Sequence, residues 1–99
     1  MAKFDVYRRR DAPGYLLDCQ ADLLDVLNTR LVVPLLPPED APRPAARLNP
    51  AFEVEGRAVV MVTQFASAVM VRELGERVGS LLGKQDAIGL ALDMLISGF

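Results

Sequence analysis

Apolar residues recur at every second position through much of this chain and change to helical spacing only near its end. Phe4 and Val6 alternate with Lys3, Asp5 and Tyr7. Tyr15, Leu17 and Cys19 alternate with Leu16, Asp18 and Gln20, and Phe52 and Val54 with Ala51, Glu53 and Glu55. A period of two belongs to a strand with one buried face. From Ile88 onward the apolar set is Ile88, Ala91, Leu92, Leu95 and Ile96, a stripe along one side of a helix. Gly83 precedes this stripe, and Gly98 follows it where a left-handed cap residue is common. A chain of 99 residues has length for one core rather than two, so one domain, 1–99, is expected. The expected order is six or so strands, then one C-terminal helix on an antiparallel sheet.

The connections follow from turn chemistry. Arg8, Arg9 and Arg10 close the first run, and Asp11-Ala12-Pro13-Gly14 reads as the turn of a hairpin. Glu55-Gly56 reads as a tight hairpin turn, with Arg57 to Gln64 returning as an apolar strand. Ala68 to Arg72 is a further strand, ended by Gly75. Leu31 to Leu36 is continuously apolar, as in a strand buried on both faces. Pro34 lacks an amide proton, so a bulge or an edge position is expected beside it. Pro37 to Pro50 holds five of the seven prolines and reads as a long irregular surface segment. Between Asp22 and Thr29, Leu23, Leu24, Val26 and Leu27 are too dense for a loop and too few for a stable helix. One of Leu23 and Leu24 is expected to turn into the core, since leucine is among the most buried residue types.

Composition removes several kinds of chemistry. Eleven Lys plus Arg against thirteen Asp plus Glu leave a charge of −2, which argues against direct nucleic-acid binding. The longest apolar run falls short of the roughly 20 residues that span a bilayer, and the first residues lack a signal-peptide pattern. With one cysteine, which makes no internal disulfide, a small soluble cytosolic protein is expected. Without histidine, the usual zinc sites and His-based triads cannot be built. Ser67, Ser80 and Ser97 have no base beside them, and no Gly-rich phosphate loop is present. No cofactor and no metal are expected. Catalysis through Arg, Asp, Glu, Tyr or Thr stays open. Cys19 reads as core, Met61, Met70 and Met94 as core or interface filler, and Arg8 to Arg10 as a solvated strand end.

Four stretches, in this order and spacing, resemble the CcdB family of bacterial toxins. They are Phe4-Asp5-Val6-Tyr7; then Leu16 to Leu24 followed by Thr29-Arg30-Leu31-Val32-Val33-Pro34-Leu35; then Leu48-Asn49-Pro50 with Thr63-Gln64; and last Leu74-Gly75, Ala91 to Leu95 and Gly98-Phe99. The resemblance covers essentially the whole chain. It implies a mainly β (α+β) fold, a small antiparallel barrel-like, SH3-like sheet with one C-terminal helix. It implies a cytoplasmic homodimer that enters the DNA gyrase A subunit, where it traps the cleaved-DNA complex: a topoisomerase inhibitor and not an enzyme. A cognate CcdA-like antitoxin neutralises such a toxin, and operator DNA is reached only through that antitoxin; no membrane is involved. Carried over by position, gyrase binding falls to Leu23, Leu24, Asp93, Ser97, Gly98 and Phe99. Arg8, Arg9 and Arg10 become a dock for an acidic antitoxin tail. Ser97 stands where the best-known members have a stacking tryptophan, and Ala66-Ser67 is followed by Ala68-Val69 where the family tends to have proline. Two alternatives are a ribonuclease toxin of related fold, with Thr29-Arg30 as the nearest catalytic pair, and a non-toxic homologue that only binds an antitoxin.

Overall fold

Each alternating run finds a neighbour to pair with. In the computed structural model, which describes residues 1–98, the strands are β1 (Asp5–Arg8), β2 (Tyr15–Asp18), β3 (Thr29–Leu36), β4 (Ala51–Val54), β5 (Arg57–Met61), β6 (Ser67–Met70) and β7 (Arg77–Ser80), followed by helix α1 (Gln85–Ser97). All strand pairs are antiparallel. The sheet is a curled half-barrel in the order β4-β5-β3-β2-β1-β7, with β6 beside the first half of β3. This is the expected mainly β architecture with one terminal helix.

Strand β3 organises the sheet. Its residues 32–35 pair with β2, while on its other side Thr29 to Val32 pair with β6 and Leu35-Leu36 with β5. Pro34 lies at this change of partner. Its carbonyl accepts from the Val62 amide at 3.0 Å. The N and C=O of one strand residue point the same way, so its missing amide faces the gap between β5 and β6, where the chain makes a 3-10 turn (Thr63–Phe65). The register beside Pro34 is unbroken, and the irregularity in the sheet falls between Val6 and Tyr7 opposite β7. Of the two expected outcomes, a bulge or an edge position, the structure shows the edge.

Two clusters flank the sheet. The larger packs Phe4, Val6, Leu17, Val33, Leu35, Phe52 and Met61 against Ile88 and Ala91 of α1. The smaller, on the opposite face, holds Tyr7, Val32 and Leu74, with Leu16 and Val69 against it. Val32 and Val33 are thus buried on opposite faces, as a continuous apolar run requires. The smaller face also carries charge. Asp18 and Arg30, 0 % and 1 % exposed at their side chains, form a fork in which Arg30 Nε and Nη2 donate to Asp18 Oδ2 at 3.0 and 2.6 Å. The Gln20 amide donates to the other oxygen at 3.0 Å. On the same face Arg77 reaches Asp5 at 3.1 Å and ties β7 to β1. Burial alone would raise the Asp5 pKa; Arg77 and the Ala2 amide outweigh it and hold this carboxyl low.

Three expectations need correction. β7 is a strand that the alternation does not reveal, because Val78 is its only apolar side chain among Arg77, Gly79 and Ser80. The stripe on α1 is buried only in its first half: Ile88 and Ala91 are core with Leu92 against them, whereas Leu95 and Ile96 face solvent, outside the core cluster. Residues Pro37 to Pro50 are mostly exposed as expected, but the end is pinned. Asn49 accepts from the Ala45 amide at 3.0 Å and donates to Met61 O at 3.0 Å and Gln64 Oε1 at 2.7 Å.

Replacing Asp18 with alanine leaves the Arg30 guanidinium buried and unpaired, which typically costs about 3–5 kcal/mol. Urea denaturation of Asp18→Ala is expected to show a loss of that size. The double change Asp18→Leu with Arg30→Met is expected to recover most of it.

Candidate functional site

The first candidate surface is the turn after β2. Asp22–Leu24 form a single 3-10 turn with no buried residue. Its start is held by Asp22 Oδ1, which accepts from the Lys3 amide at 2.7 Å, and its end by Gln20 Nε2 donating to Leu24 O at 3.0 Å. Anchored at both ends by polar contacts, so short an element has no inner face. Leu23 is 89 % exposed and Leu24 46 %, with Val26 and Leu27 beside them in solvent. The expected inward turn of one leucine does not occur.

The second surface is the end of α1. Asp93, Ser97 and Gly98 are exposed there, along with Leu90, Leu95 and Ile96, the last at 78 %. Gly98 has φ +79° and its amide donates to Met94 O at 3.0 Å, a left-handed cap as expected. Phe99 lies outside the described residues. The neighbours of α1 are chiefly the 3-10 turns Thr63–Phe65 and Leu82–Lys84. The candidate gyrase-binding residues therefore occupy two separate elements of one chain.

The third feature is a pocket of about 360 Å³ between the β1–β2 loop and the β4–β5 hairpin. The three consecutive arginines diverge around it. Arg8 Nη2 meets Glu55 Oε2 at 2.6 Å and Arg9 Nη1 donates to Pro13 O at 3.1 Å, whereas Arg10 Nε turns away to Leu74 O at 3.0 Å. Arg8, Arg9 and Arg57 line the pocket with Tyr15 and Glu55. The Tyr15 hydroxyl donates to Glu55 Oε1 at 2.8 Å. That bond and Arg8 hold the Glu55 pKa below the usual range, while burial and then Glu55 push the Tyr15 pKa up. Glu55 (φ +54°) and Gly56 (φ +74°) both sit in the left-handed region, as a two-residue hairpin turn demands.

Sequence reasoning named Arg8 and Arg9 but missed Tyr15, Glu55 and Arg57 as their neighbours. The available signal was Glu55 itself, a glutamate where such turns favour Asn, Asp or Gly. The Thr29-Arg30 pair is not a solvent-facing couple, since Arg30 is committed to Asp18 inside the sheet. Cys19 is buried, which, with Asp18 nearby, pushes its thiol up to about 12 and leaves it unreactive. Among the described residues no group of three His, Cys, Asp or Glu side chains is placed to hold a metal, and no helix is long and apolar enough to cross a membrane.

The family model described as CcdB protein matches residues 3–98. No curated protein matches. Among solved structures, a mycobacterial endoribonuclease in complex with its cognate antitoxin superposes with a TM-score of 0.78 at 15% identity, covering 95% of this chain and 92% of that one. A mycobacterial endoribonuclease gives 0.76 at 16%, covering 95% and 88%. The Mycobacterium tuberculosis toxin MazF-mt6 gives 0.72 at 16%, covering 90% and 92%. These likenesses establish a shared fold, and they correct the expectation that the chain is not an enzyme. The same fold is that of proteins described as endoribonucleases. A missing histidine removes triads and zinc sites; it does not remove acid–base or electrostatic catalysis by Arg, Glu and Tyr.

Glu55 has a depressed folded pKa, so its contribution to stability is present above the unfolded glutamate pKa and is lost as pH falls through the folded one. Tyr15→Phe removes the first cause of that depression. NMR titration of the Glu55 carboxyl is expected to show its midpoint moving upward in this variant, and stability falling less steeply with acid over that window.

Proposed function

The chain belongs to the CcdB family, and from that premise we propose that it is the toxin of a toxin–antitoxin pair, with the DNA gyrase A subunit as its target. The observation that supports this reading is the solvent-facing apolar set Leu23, Leu24 and Val26 on one turn and Ile96 at the helix end, large side chains left open to a partner. In a symmetric homodimer the two-fold axis doubles each set, so the turns and helix ends of both copies can present one continuous contact. Leu23 and Leu24 supply apolar anchors, and Asp93 and Ser97 supply hydrogen bonds around them. Gly98 lets the backbone leave the helix, and Phe99 supplies the terminal ring that follows it. A cytoplasmic location follows from the target.

The antitoxin partner is supported by the match to a toxin fold solved with its cognate antitoxin. An acidic antitoxin segment laid along Arg8, Arg9 and Arg10 would meet guanidiniums on both sides of the β1–β2 loop. Repression of an operator then belongs to the complex, through the antitoxin.

RNA cleavage is the second reading, favoured by the fold shared with endoribonucleases. Two assays on one preparation separate the readings. Gyrase, supercoiled plasmid and the protein should yield linear DNA after detergent and protease treatment, and single-stranded RNA is incubated with the protein in parallel. RNA fragmentation without a gyrase–DNA complex overturns the gyrase target and supports the second reading.

Leu23→Glu and Ile96→Glu change exposed side chains, so both variants should keep the wild-type melting temperature within a few degrees. Each should weaken capture of gyrase by roughly tenfold or more, since a few apolar anchors dominate an interface. Removing residues 97–99 should abolish capture while antitoxin binding persists.

A further inference from the structure

The pocket between the β1–β2 loop and the β4–β5 hairpin is built rather than incidental. Gly14 has φ +99°, and a Cβ there would lie 2.5 Å from Leu35 O, so only glycine lets the loop press onto β3 and leave the space above it open. On the opposite wall a non-glycine residue occupies the left-handed region at Glu55. An L residue in that conformation is strained, and here its side chain binds Tyr15 Oη and Arg8 Nη2 at once. Glu55 thereby fixes a tyrosine and an arginine at the floor of the pocket. Arg9 and Arg57 complete it from the loop and from the start of β5.

The charge does not balance. Arg8, Arg9 and Arg57 stand against Glu55 in the lining, and Glu76 adds a second carboxylate 3.8 Å from Arg8, which leaves a local excess of one positive charge on a chain of net −2. Among the described residues Arg57 makes no ion pair and donates no side-chain hydrogen bond, and Arg9 uses one N–H, to Pro13 O. The Arg57 guanidinium and the remaining Arg9 donors, on two separate stretches of chain, therefore line one polar space without an acceptor of their own. A flat carboxylate is satisfied by one arginine fork; a tetrahedral phosphate presents oxygens in several directions and is matched by forks from several sides. The lining offers only Ala12 and Pro13 as apolar contacts, which is little for a peptide side chain.

We propose that this pocket is a phosphate-binding site, held by Arg8, Arg9 and Arg57 and braced by the Tyr15–Glu55 hydrogen bond. The phosphate is that of a nucleic-acid strand or of a small phosphorylated molecule. The net negative charge of the chain does not oppose this, because binding depends on the local field around the site. An antitoxin segment lying over Arg8 and Arg9 would then also close the site.

The test follows arginine Nε–H and backbone amide NMR signals of the full chain during titration with inorganic phosphate, a single-stranded oligouridine, or a glutamate-rich peptide. Saturable shifts at Arg8, Arg9, Tyr15 and Arg57 are expected with phosphate. A tighter response to oligouridine, weakening with salt as phosphate contacts do, assigns the phosphate to a strand; a response to phosphate alone assigns it to a small molecule. Arg57→Ala and Arg57→Gln, both at an exposed hairpin position, should weaken binding by roughly tenfold with unchanged melting. Absence of saturable shifts with phosphate and oligouridine overturns the proposal. So does binding indifferent to both Arg57 variants, or a response to the acidic peptide only.

Discussion

Asp18 and Arg30 meet on the smaller buried face of the sheet where β2 and β3 run together, and the pairing of these two strands depends on keeping them there. A charge removed from water must be paired and hydrogen-bonded or it drives the structure apart. That requirement explains the residues around it. Tyr7, Val32, Leu74, Leu16 and Val69 exclude water from the pair, and β6 lies beside Arg30 through the Arg30–Val69 register. Arg30 Nη1 has no partner, so the pair is not fully satisfied, and its worth lies in register more than in stability. Slipping β3 by one residue against β2 would put Arg30 in the main core and Val33 on the charged face.

The sequence was legible wherever one local rule decided the outcome. Alternation at Phe4 to Tyr7 and Tyr15 to Gln20 located β1 and β2, Glu55-Gly56 located a hairpin, and Gly98 the helix cap, because each depends only on near neighbours. It was illegible where distant chain decided. β7 is a strand because β1 offers it an edge and Asp5 offers Arg77 a partner, neither visible in Arg77 to Ser80. Pro34 fits β3 because two different strands share its far side. Leu95 and Ile96 continue the helical stripe, but the core packed against α1 takes in Ile88, Ala91 and Leu92 and leaves these two in solvent. The candidate site divides in the same way. Arg8 and Arg9 were visible as a charge run, while Tyr15 and Arg57 join them only once the β1–β2 loop folds against the β4–β5 hairpin.

The surface carries two chemistries that do not mix. The apolar set sits on a tethered turn and a helix end; the cationic set sits on a strand end, a loop and a hairpin. Apolar contacts with polar rims suit a folded protein partner, where anchors enter pockets. Converging guanidiniums suit an anion. The two sets share no residue, so each can be altered without touching the other.

Glu55 shows how fold and site become one constraint. Its left-handed backbone is required by the two-residue turn, and asparagine or aspartate would meet that requirement more easily. Their side chains are shorter in reach than glutamate, and the carboxylate here spans from the hairpin to both Tyr15 on β2 and Arg8 on β1. β1, β2 and the β4–β5 hairpin are not hydrogen-bonded neighbours as a group, since β3 separates β2 from β5 in the sheet. The Glu55 carboxylate therefore bridges strands that the backbone ladder leaves apart, and it does so in the wall of the cationic pocket. The turn requires the left-handed backbone, the reach of the side chain explains why glutamate fills it, and its carboxylate offsets part of the mutual repulsion of the arginines around the pocket.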